Sequence, residues 1–212
     1  GLDAPRLSET ASRMAEARAA LGFALRHMAA PHLDVRHGDP VFPVAILAGW
    51  PEDLRHRLMA SLLCQRAGAR YRPRYRALRS LTAAVLAGRG GTLHGCRVLV
   101  RRGVLRVTRE QAAVAGHVVA PTALWDGFWR LIPPASCTAE DIAALRVSAL
   151  GDAALPAPDP EAAPRPPRAV LAASPAVWQR DRLVSAPLAG LGAWRGVPRL
   201  SAESVLAGLV SR

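Results

Sequence analysis

Apolar residues along this chain keep two rhythms, and the change falls near residue 89. Before it, Leu7, Ala11, Met14, Leu21, Leu25 and Met28 recur at helical spacing, with Arg13, Glu16 and Arg26 elsewhere around the turn. The spacing predicts a helix capped by Ser8 and ending near residue 28. AAPHLDVRHGDPVFPVAIL breaks that pattern: Gly38-Asp39-Pro40 reads as a turn and 41–47 as a short strand or extended lead-in. Pro51 opens a second helix, with Glu52 and Asp53 where the helix dipole favours acids. Leu54, Leu58, Leu62 and Leu63 give it an apolar stripe, and Gly68 ends it. A third helix starts at Tyr71-Arg72-Pro73 and runs to about residue 87, with Leu78, Leu81, Val85 and Leu86 facing inward.

After Gly88 the pattern alternates. Residues 93–100 and 104–108 read as strands joined at Arg101-Arg102-Gly103. Segments 114–120 and 125–132 are expected to extend the sheet, with Asp126-Gly127 as a turn. Thr138 with Asp141 resembles a capping box starting a short helix to about residue 150. A run with six prolines follows, too rich in proline to build a core. SPAVWQRDRLVSAPLAGL then suggests a hairpin around Arg180-Asp181 that returns to the earlier sheet. The predicted class is α+β: an N-terminal helical domain (1–88), then a small antiparallel β-rich domain with one or two helices (89–150). A linker (151–169), the returning hairpin (170–195) and a weakly patterned tail (196–212) complete it.

Composition narrows the classes. At 212 residues, half of them hydrophobic, the chain can bury a real core, yet aromatics make up only 5%. No window reaches the roughly 18 apolar residues of a membrane span. No signal peptide is visible, and a start at Gly1 rather than Met points to a segment of something longer. Three dispersed cysteines (Cys64, Cys96, Cys137) argue against a disulfide framework and suit a reducing cytoplasm.

Charge changes the picture most. The formal net charge is +12, and every basic residue is an arginine. Between residues 54 and 109 there are fourteen arginines and no Asp or Glu, whereas the other fourteen arginines face all sixteen acids. A GC-rich genome explains arginine over lysine; it does not explain placement. A field concentrated in this way is expected where a polyanion docks. In QRAGARYRPRYRALR, Arg66, Arg70, Arg72, Arg74, Arg76 and Arg79 crowd a helix end and the next helix start, with Tyr71 and Tyr75 between them. Guanidinium groups bind phosphate in bidentate fashion, and tyrosine can stack or hydrogen-bond. Solvated faces usually mix signs, and this one does not.

Other chemistry finds less support. Gly90-Gly91 follows a helix and precedes a strand, the reverse of a phosphate loop, and the chain has no lysine for one. His94 and Cys96 are two apart but lack the paired partners of a zinc site. No G-x-S-x-G elbow is present, paired carboxylates are lacking from the basic stretch, and Asp126, Glu140 and Asp141 have turn or capping roles that need no chemistry. Trp50, Trp125 and Trp129 have apolar neighbours and read as core.

Taken in order, several short motifs resemble the portion of bacterial tRNA(Ile)-lysidine synthetases downstream of their ATP-binding domain, in the alphaproteobacterial style. They are Leu54-Arg55-His56-Arg57-Leu58, Pro73-Arg74, Gly91-Thr92-Leu93-His94-Gly95-Cys96 and Gly103-Val104-Leu105-Arg106-Val107. Arg109-Glu110, Leu124-Trp125-Asp126-Gly127 and the run from Pro175 to Leu183 follow. The resemblance covers most of residues 1–190 and implies a cytoplasmic enzyme that joins lysine to the wobble cytidine of an isoleucine tRNA through an adenylate. It implies ATP and magnesium for the parent but no cofactor in this chain, because the family's S-G-G-x-D-S loop is absent. No catalytic, cofactor or metal residue is carried over, and the chain alone is expected to be inactive. The implied partners are tRNA and an N-terminal ATP-binding domain, without a membrane; a homodimer is left open. The expected RNA contacts are Arg66, Arg70, Arg72, Arg74, Arg76 and Arg79, with Arg101 and Arg102 at the hairpin tip. The alternative is a non-catalytic module for RNA or an acidic protein.

Overall fold

The structure is a computed structural model that describes residues 3–152 and 165–210. The chain opens with helix α1 (Ala4–Ala29). Its cap is Asp3, whose carboxylate accepts from the Arg6 amide at 3.0 Å, ahead of the expected Ser8. Asp3 precedes a proline in the first turn, which favours helix entry there. A hairpin follows, β1 (Asp34–Arg36) and β2 (Asp39–Pro43). Its turn residues are His37 and Gly38, both at positive φ, and Asp39 and Pro40 belong to the strand rather than to a turn. Three helices come next: α2 (Val44–Ala48), α3 (Glu52–Ala67) and α4 (Tyr75–Leu86). Gly68, at φ 64°, caps α3 in the left-handed conformation that glycine adopts at least cost.

Strands β3 (Gly91–Leu93), β4 (Cys96–Arg101) and β5 (Val104–Arg109) then join β1 and β2 in one antiparallel sheet of order β1-β2-β5-β4-β3. Strands from both sides of residue 88 therefore share a sheet. Local periodicity could not show this, because β2 finds β5 across more than sixty residues. One face of the sheet meets the helices: Phe42, Cys96, Val98, Leu105 and Val107 share a core with Leu58, Met59, Leu62 and Leu63 of α3 and Leu78, Leu81 and Val85 of α4. Gly90 sits so close to the Val98 carbonyl that a Cβ would meet its oxygen at 2.2 Å, so the Gly90-Gly91 pair serves sheet entry.

The remainder builds a second core. After α5 (Gln111–Val114) come β6 (Trp129–Ile132), α6 (Ala139–Ala143) and β7 (Arg146–Ala149). Thr138 and Asp141 form the expected capping box. The helix stops at Ala143, and the residues expected to continue it become β7 instead. Helix α7 (Arg168–Ala172) leads to β8 (Pro175–Gln179) and β9 (Arg182–Ser185), the expected hairpin. It pairs with β7 in a separate three-stranded sheet, not with the earlier one. Most of the proline-rich segment, 153–164, lies outside the described residues. Trp125, Trp129 and Trp194 fill this core with Val147 and Val177.

The final stretch is structured. Strand β10 (Arg195–Pro198) pairs with β6, and α8 (Ala202–Val210) packs on α1 and α3. Val205 and Leu209 enter the first core, and the Gln65 amide donates to the Val205 carbonyl at 3.1 Å. The weak pattern of this helix reflects a partner outside its own segment. The class is α+β, as the sequence predicts.

Candidate nucleic-acid interface

The eight expected arginines divide into three groups. The first surrounds the junction of α3 and α4. Gly68 stops α3, Pro73 is buried, and the Cys64 thiol lies 3.3 Å from the Tyr71 carbonyl, which ties the connecting loop to the core. That anchoring turns Arg70, Arg72, Arg74 and Arg76 outward, all of them exposed. Tyr71 and Tyr75 stand among them at 74% and 61% exposure, a costly display of aromatic surface unless something covers it. The Arg70 guanidinium lies 5.8 Å from the Tyr71 ring centre.

The start of α4 has the wrong charge for stability. Its cap residue is Arg74, which makes no capping bond, and the first turn holds Arg76 and no acid. A helix N-terminus carries partial positive charge, so each cation there costs about 0.3–1 kcal/mol. The same arrangement suits an incoming anion, which would meet free amides and guanidinium groups together. Arg72 is crowded as well: partial burial first, then the charges of Arg57 on α3 and Arg18 on α1, push its guanidinium below the ordinary range, with Asp53 opposing. Arg18 was missed by the sequence because it lies far from the arginine-rich run. Arg79 is exposed and reaches Glu52 at 3.7 Å, a weak surface pair.

Arg66 is a correction. It is 3% exposed, so it contacts no phosphate at the surface. Its Nε donates to Asp39 at 2.9 Å, Asp126 lies 3.6 Å from its Nη1, and its guanidinium stacks 4.5 Å over the Phe128 ring. The same two acids take Arg106, at 3.5 Å from Asp39, and Arg109, which grips Asp126 with two bonds of 2.8 and 3.0 Å. Burial pushes the Asp39 carboxyl upward, opposed by Arg66 and then Arg106. The run from 54 to 109 contains no acid of its own, so a local charge count could not see acids supplied by residues 39 and 126.

Arg101 and Arg102 form the third group. Arg102 and Gly103 take positive φ in the two-residue turn between β4 and β5, leaving both arginines exposed. They line a concavity of about 310 Å³ with Arg36 and Arg106, to which none of the α4 arginines contributes.

His94 and Cys96 do not form a common ligand pair. His94 occupies the turn between β3 and β4, whereas the Cys96 thiol is buried against the Leu63 carbonyl and burial pushes it up to about 11. Among the described residues no three His, Cys, Asp or Glu side chains gather as a metal site. Gly90-Gly91 enters a strand rather than a helix N-terminus, so this pair is not a phosphate loop. No described helix is long and apolar enough to cross a membrane.

By its fold and surface this is an α+β protein with a cationic, tyrosine-bearing face. By sequence it is a relative of the tRNA(Ile)-lysidine synthase family. It is 35% identical to a tRNA(Ile)-lysidine synthase of Ruegeria pomeroyi over 213 aligned residues, which is all of this chain and 49% of that protein. The chain thus spans about half the length of the curated relative it matches. No family model and no solved structure matches it.

Proposed function

We propose that this chain is the tRNA-holding, C-terminal part of a tRNA(Ile)-lysidine synthase and has no ligase activity of its own. In this reading the parent enzyme uses ATP in a separate N-terminal domain to join lysine to the wobble cytidine. The present chain grips the tRNA while that happens, in the cytoplasm. The observation that carries the reading is the α3–α4 junction, where Arg70, Arg72, Arg74 and Arg76 crowd an uncapped helix N-terminus beside two exposed tyrosines. Cations at a helix N-terminus oppose its dipole, whereas the same charges would bind a phosphate backbone. Kinship to a tRNA(Ile)-lysidine synthase supplies the kind of polyanion.

The test is a titration of isoleucine tRNA at several salt concentrations. Log affinity should fall linearly with log salt, each phosphate contact adding about 0.7–0.9 to the slope. Arg74→Glu with Arg76→Glu should weaken binding and flatten that slope by about two contacts' worth. Salt-insensitive binding, or none, removes the reading. Equal affinity for unrelated RNAs would favour the alternative of a general RNA-binding module, and a preference for acidic proteins over RNA would favour an acidic-protein module.

A further inference from the structure

We infer that the outward face of the five-stranded sheet holds a second site, shaped for a phosphorylated nucleoside. The strand register builds it. Val41, Arg106 and Leu99 stand opposite one another across β2, β5 and β4, and Val104 stands opposite Arg101. Cross-strand partners share a face, and so do residues two apart, so all five point away from the helical core. Their neighbours Phe42, Val98 and Leu105 fill that core, whereas Val41, Leu99 and Val104 belong to none of the three apolar clusters among the described residues. This leaves an apolar floor with Pro167 at its edge and guanidinium groups around it.

The charges are partly fixed in advance. Arg106 is only 14% exposed, and its Nη1 is held by the Arg36 carbonyl at 3.1 Å and by Asp39 at 3.5 Å. Arg36 is paired with Asp34 at 2.8 Å. Arg101 and Arg102 have no ion pair among the described residues. Four guanidinium groups therefore face two carboxylates, one of them buried beneath the sheet surface. A bare phosphate needs the arginines and has no use for the floor. A base and ribose would cover Leu99 and Val104 while the phosphate meets Arg101 and Arg102, and an arginine plane can also lie on a base. The volume, about 310 Å³, is at the small end of ligand sites and suits one nucleotide. The nucleotide is either free or an unpaired residue of an RNA strand; only the second source rests on the tRNA reading.

Calorimetric titration with CMP, cytidine and inorganic phosphate tests the site. CMP should bind about tenfold more tightly than either of the other two, since each of them lacks one of the two contacts. Leu99→Ser should weaken CMP about fivefold and leave phosphate unchanged. Arg101→Gln with Arg102→Gln should weaken both CMP and phosphate. Val104→Thr, which keeps the β-branched outline and adds a hydroxyl, guards against an effect of misfolding and should weaken CMP in the same direction as Leu99→Ser. Equal binding of CMP and phosphate, or indifference to Leu99→Ser and Val104→Thr, would reduce the site to a plain anion patch and overturn the inference. So would the absence of CMP binding. A tRNA titration run beside these separates the two proposals. Binding of tRNA without CMP sinks this site alone, and binding of CMP without tRNA sinks the tRNA reading alone.

Discussion

Two arginine-rich regions lie within one stretch of sequence and meet opposite fates. Around Asp39 and Asp126, the guanidinium groups of Arg66, Arg106 and Arg109 are drawn inward, hydrogen-bonded and largely shielded from water. At the α3–α4 junction, Arg70, Arg74 and Arg76 stand in solvent at a helix end that would prefer acids. Residue type and local density are the same in both. What differs is whether the fold delivers a carboxylate. The buried region fastens β2, α3, β5 and the 125–128 turn together, so its arginines are needed by the structure. In the exposed region the helix end receives no acid, and the proposal of a ligand there starts from that mismatch.

The largest effect separating the regions should come from Arg66→Met. It leaves Asp39, 1% exposed, without its closest partner, and breaking a buried pair from one side costs about 3–5 kcal/mol. Urea unfolding measures it. Adding Asp39→Asn should return part of that loss, because the uncompensated charge goes with it. A double variant no more stable than Arg66→Met alone would show that the network is not held by charge.

The opposite sign is expected from Arg74→Glu with Arg76→Glu, read for stability rather than for RNA. The substitution places acids at the N-terminus of α4 and should raise stability by about 0.5–1 kcal/mol while tRNA binding weakens. A gain in stability paired with a loss of binding is the mark of residues kept for function. Loss of stability instead would move these arginines into the structural group and dissolve the contrast.

That contrast explains which parts of the molecule were legible beforehand. Helix α3, the β4–β5 turn and the Thr138–Asp141 capping box carry their signals within a few residues and form where the pattern puts them, whereas α4 begins at Tyr75 rather than at Tyr71, and the turn at His94-Gly95 divides the expected 93–100 strand into β3 and β4. The pairing of β2 with β5, the β6–β10 ribbon and the docking of α8 each depend on segments tens of residues away, and the pattern is silent about them. The same divide runs through the site. The exposure of Arg70 to Arg76 follows from the helix stop at Gly68, whereas the burial of Arg66 follows from acids outside the stretch. Arg36 and Arg106 join the sheet concavity through strand pairing, although the alternation of Leu99 with Arg101 and of Val104 with Arg106 already puts apolar and basic residues on one face.

A gentler pair of substitutions asks whether each region uses shape or only charge. Arg109 makes two bonds to Asp126 and a third, of 2.9 Å, to the Gly95 carbonyl, which a lysine ammonium cannot reproduce in the same plane. Arg109→Lys should therefore cost about 1–2 kcal/mol in urea unfolding. Arg76→Lys, on the open surface, should leave stability within about 0.5 kcal/mol, as for a surface change away from such networks.

The smallest expected effect lies where the two regimes meet. Glu52 sits 3.7 Å from Arg79, both exposed, and it is the one acid within ion-pair distance of the α4 arginines among the described residues. A surface pair of this kind is worth about 0.2–1 kcal/mol or less, so Glu52→Gln should hardly move the unfolding midpoint. It also removes a negative charge beside the proposed phosphate path and releases Arg79 to meet a phosphate. Affinity for tRNA should rise about twofold at low salt, and the gain should fade as salt screens the exposed charges. Unchanged affinity at every salt concentration would place Arg79 outside the contact surface and confine that surface to the loop and first turn of α4.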